Sequence, residues 1–116
     1  KLGFAGGGVP TPINARGEIS ENEFSKKLNK LNQADIICTH APPHVDELMT
    51  DVVTNKVEQG WKSLLDFIKT NNPKFSLFGD VHQPKASTWK VNNTTCINTG
   101  YFRATGQYLD LSSIIQ

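Results

Sequence analysis

All three histidines of this 116-residue chain fall in two short segments, Thr39-His40-Ala41-Pro42-Pro43-His44 and Gly79-Asp80-Val81-His82-Gln83-Pro84. Imidazole nitrogens with a carboxylate between them form a donor set suited to Zn, Mn or Fe, and poorly matched to Ca or Mg, which prefer oxygen. His40, Asp80 and His82 are the candidate metal ligands. A lone histidine is more often a polar residue at a turn, but two at strand ends with an aspartate beside one favour a site. Pro42 and Pro43 restrict their loop to extended geometry, which would hold His40 steady. His44 lies beyond the prolines, where a substrate-facing role and a plain surface role are both open.

Each segment follows a short apolar run, Ala34-Asp35-Ile36-Ile37-Cys38 before the first and Phe75-Ser76-Leu77-Phe78 before the second. Buried parallel strands read this way, and in open α/β sheets the chemistry gathers in loops at the carboxyl ends of the strands. Between the two runs, Gly60 to Thr70 reads as a helix with Trp61, Leu64, Leu65 and Ile68 on one face, stopped by Asn71-Asn72-Pro73. Strand, helix, strand implies a parallel crossover.

Earlier in the chain, Lys1 to Ala5 reads as a strand ending in Gly6-Gly7-Gly8. No Gly-Lys-Ser/Thr follows and no helix starts there, so a strand-to-loop turn is favoured over a phosphate-cradling loop. Val9-Pro10-Thr11-Pro12 cannot continue a sheet, and a loop is expected to about residue 19. Ser20 and Glu23 have the spacing of a capping box, placing a helix over 21–32 with Phe24, Leu28 and Leu31 inward and Lys26, Lys27 and Lys30 in water. Residues 46–58 show no clear period. Ser87 to Val91 and Thr94 to Asn98 read as a β-hairpin across Asn92-Asn93, and Gln107 to Leu111 as a final antiparallel strand. Trp61 and Trp89 are expected in the core.

Length bounds the chain to one domain, 1–116. Twelve Lys and Arg against eleven Asp and Glu give a net charge of +1, without a basic run, so nucleic-acid binding through a cationic face is not indicated. No apolar stretch approaches the roughly 20 residues of a membrane span, and neither a membrane nor export is expected. Cys38 and Cys96 both fall in expected strands; two buried thiols and a reduced, cytoplasmic setting follow. A start at Lys1 without Met is what a piece of a longer polypeptide would show.

Together these segments resemble the calcineurin-like metallophosphoesterase family. That family has Thr-His-x-Pro-Pro after one buried strand, a helix, Gly-His-x-His after the next strand, and a hairpin entering Ile-Asn-x-Gly. The corresponding residues are Thr39-His40-Ala41-Pro42-Pro43, Gly60 to Ile68, Gly79-Asp80-Val81-His82 and Ile97-Asn98-Thr99-Gly100, over roughly residues 34–111. Asp80 replaces the first histidine of the Gly-His-x-His segment. The Asp-x-His, Gly-Asp-x-x-Asp and Gly-Asn-His segments of the family's amino-terminal half do not occur, so the resemblance covers the carboxyl-terminal half of a catalytic domain.

The resemblance implies an α/β fold, half of a β-sandwich flanked by helices, with a mixed sheet and a C-terminal hairpin. It implies hydrolysis of a phosphomonoester or phosphodiester at two divalent metals that clamp the phosphate and activate a water. His40 and Asp80 would hold one metal and His82 the other; Mn is the expected ion, with Zn or Fe as alternatives. Arg103, after the Ile-Asn-x-Gly turn, would offer a phosphate a fork of donors, though a plain surface arginine is equally in keeping with its place. Alone, the chain would be a poor hydrolase. A half-sandwich would leave an open sheet face and edges, so self-association or pairing with a chain supplying the missing half is expected. The other reading is a non-catalytic interaction module that keeps the scaffold.

Overall fold

The computed structural model describes residues 1–10 and 17–100. Its centre is a five-stranded mixed sheet formed by β1 (Leu2–Ala5), β2 (Ile36–Thr39), β5 (Phe75–Phe78), β7 (Thr94–Asn98) and β6 (Thr88–Val91), in that spatial order. β1, β2, β5 and β7 run parallel and β6 returns antiparallel to β7. A separate two-stranded sheet joins β3 (Thr50–Asp51) to β4 (Lys56–Val57), directly after the one-turn helix α2 (Asp46–Met49).

Helices α1 (Glu21–Asn29) and α3 (Lys62–Asn71) cover one face of the large sheet. The core joins Phe24 and Leu28 of α1 and Leu64, Phe67 and Ile68 of α3 to Ala5, Ile37, Phe78, Val91 and Cys96 from the strands. Strand side chains alternate between faces. Leu2 and Phe4, which alternate with buried Gly3 and Ala5, therefore point away from the helices and are 47% and 69% exposed.

α1 starts at its expected cap, where the Ser20 Oγ accepts from the Glu23 amide at 3.0 Å. It ends at Asn29, three residues before the expected limit. α3 starts at Lys62 and not at Gly60, because Trp61 is engaged elsewhere: its amide donates to the Pro42 carbonyl, and its ring stacks on Phe24 with centroids 3.8 Å apart and planes 3° from parallel. The Glu21 carboxylate caps α3 in place of a local side chain, accepting from the Lys62 and Ser63 amides at 2.8 and 3.0 Å. One acidic residue at the start of α1 thereby satisfies two free donors of α3 and faces the positive end of its dipole.

The β6–β7 hairpin forms over the expected residues, with Asn92 in the left-handed region at φ 51°. Trp89 departs from its expected place in the core: it is 38% exposed, on a strand with a single neighbour at the sheet edge. The β3–β4 hairpin occupies the stretch where the sequence showed no period. Cys96 is buried, whereas Cys38 is half-buried, and both thiols are free. Arg103 and the expected strand 107–111 lie outside the described residues. Among the described residues no helix is long and apolar enough to cross a membrane.

Candidate functional site

Parallel pairing of β2 with β5 places the ends of these two strands side by side, with Ile36, Ile37 and Cys38 opposite Phe75, Ser76 and Leu77. The loops that follow are joined at once, since the Gly79 amide donates to the His40 carbonyl at 3.0 Å. At this junction the His40 Nε2 lies 3.3 Å from the Asp80 Oδ1. Both side chains are open to solvent, at 64% and 37% exposure.

The His40 loop is held from beneath. Thr39 Oγ1 donates to the Ala41 carbonyl at 2.8 Å, Pro42 and Pro43 are fully buried, and Pro43 bridges to Trp61. Gly60 lets this segment pass closely, because a Cβ there would collide with the Met49 sulfur and lie 3.0 Å from the Pro43 carbonyl oxygen. The prolines thus act by burial against the start of α3 as well as by restricting the backbone. His44 is exposed, and its amide donates to the Trp61 carbonyl at 3.1 Å.

On the second loop Asp80 has φ 71°, a conformation that costs a non-glycine residue roughly 1–2 kcal/mol. Surrounding bonds impose it. Val81 is buried and its amide donates to the Gly79 carbonyl at 2.9 Å, while the buried Asn98 side chain donates to the Val81 carbonyl at 2.7 Å. The Asn98 Oδ1 accepts from the Gly100 amide, and Thr99 donates to the Phe78 carbonyl through both its amide and its hydroxyl. The Ile97-Asn98-Thr99-Gly100 turn is therefore the clamp that sets the Asp80 backbone. Sequence reading marked this turn as a motif without giving Asn98 a part; a buried asparagine at a strand end is the signal it carried.

The His40–Asp80 pair offers a divalent ion one nitrogen and one carboxylate, and solvent access allows waters in the remaining positions. His82, two residues on, is exposed. Among the described residues no group of three or more His, Cys, Asp or Glu side chains converges so as to hold a metal ion. Thus the structure brings together two of the three expected ligands, and this pair fits as a part of a ligand set and not as a complete one.

No family model matches the chain, and no curated protein matches it. A solved structure does match, with a TM-score of 0.66 and 24% identity over 97% of this chain. That likeness shows the fold. The chain spans 45% of the length of that structure, less than half.

Proposed function

We propose that this chain contributes the carboxyl-terminal ligands of a metal-dependent phosphoesterase. The observation that carries the reading is the His40–Asp80 contact at the ends of adjacent parallel strands, where side chains 40 positions apart meet at 3.3 Å. Further support comes from the strain at Asp80, since backbone held in a sparsely populated region clusters at functional sites. The order of the four segments that resemble the calcineurin-like metallophosphoesterases supports it as well.

In this reading His40 and Asp80 hold an ion, Mn in the first instance and Zn or Fe otherwise, and His82 is the ligand nearest in sequence for a second. Such an ion, when bound, polarises a phosphoryl oxygen and lowers the pKa of a coordinated water. The buried prolines and the Asn98 clamp keep the two loops from separating. His44 and Arg103 are the candidate contacts to the phosphoester. Remaining ligands come from outside the chain, from a partner or a further segment that covers the apolar side chains of Leu2 and Phe4 and so completes the sandwich.

A non-catalytic module with the same scaffold is the second reading, favoured by the lack of a three-ligand group among the described residues. Hydrolysis of an aryl phosphodiester and an aryl phosphomonoester with added Mn separates the two. The phosphoesterase reading expects slow Mn-dependent turnover that His40→Ala abolishes, or turnover that appears when a completing partner is added. Absence of turnover in both settings, with no Mn retained by the chain, supports the module.

A further inference from the structure

We draw no further inference here: the strongest candidate, the recess at the carboxyl ends of β1 and β2 walled by Phe4, Cys38 and His40, belongs through His40 to the site already described, and nothing in the structure shows what covers its apolar side.

Discussion

His40 and Asp80 face each other at 3.3 Å from the carboxyl ends of β2 and β5, and the backbone between their loops is tied by a bond from the Gly79 amide to the His40 carbonyl. The contact follows from strand order: a parallel β2–β5 pair with α3 as the crossover leaves its two following loops at the same edge of the sheet. Chemistry and strain then coincide at Asp80, whose φ of 71° is fixed by the Asn98 clamp.

Asp80 is expected to trade stability for function. Asp80→Gly, which relieves the left-handed strain but frees the unfolded chain, should be neutral to stabilising by up to about 1 kcal/mol. Asp80→Val should cost about 2 kcal/mol, because a β-branched residue fits that region worst. Both should lose Mn affinity. Thermal melts with parallel metal titrations check this; an Asp80→Gly protein that melts well below the wild type contradicts the strain account.

Trp61 is the residue on which the helical layer depends, fully buried, stacked on Phe24 and tied to Pro42. Trp61→Ala should cost about 3–5 kcal/mol by cavity formation. Trp61→Phe should cost only about 1–2 kcal/mol, since it also removes an indole N–H that is buried without a partner. Urea unfolding of the two variants separates ring packing from the polar burden.

Acid should loosen the β3–β4 hairpin before the large sheet. The Asp51 carboxyl lies below its ordinary value of 3.8 chiefly because the Thr54 amide bonds to its charged form, with desolvation opposing and the Val53 and Gln83 amides assisting. A depressed folded value means that this stabilisation is full above about 3.8 and is lost as pH falls through the lower folded value. Protection of the Val53 and Thr54 amides, taken relative to their intrinsic exchange rates at each pH, should fall over that interval. In Asp51→Asn the step should vanish.

The thiols should differ in reactivity. Burial raises both, taking Cys96 to about 11, while Cys38 is only half-buried beside the exposed Phe4. A thiol reagent at pH 8 should modify Cys38 slowly and Cys96 only on unfolding. Equal rates for the two would contradict the placement of Cys96 in the core.

Much of the sheet was legible because its signals are local. Ser20 and Glu23 announced α1, two continuous apolar runs announced β2 and β5, and Asn92-Asn93 announced the β6–β7 hairpin. What the sequence hid is held by distant contacts. Glu21 caps a helix 41 residues away, so no local cap marks Lys62 as the start of α3. β3 and β4 are two residues each, too short for a period, and depend on Asp51 and on the backbone of Gln83. Trp89 looked like core because its neighbours alternate in phase, yet at a sheet edge alternation does not decide burial. Of the site, the residue types of His40 and Asp80 were visible, but the strained Asp80 backbone and its support by Asn98 arise only from packing.

Metal binding by the full chain bears most directly on the site. Mn titration, followed by the electron paramagnetic resonance of the free ion, should give one site in the wild type, weakened at least tenfold in both His40→Ala and Asp80→Ala. Chains in which neither substitution changes Mn binding, although both remain folded, would show that the His40–Asp80 pair is a surface contact and not part of a metal centre.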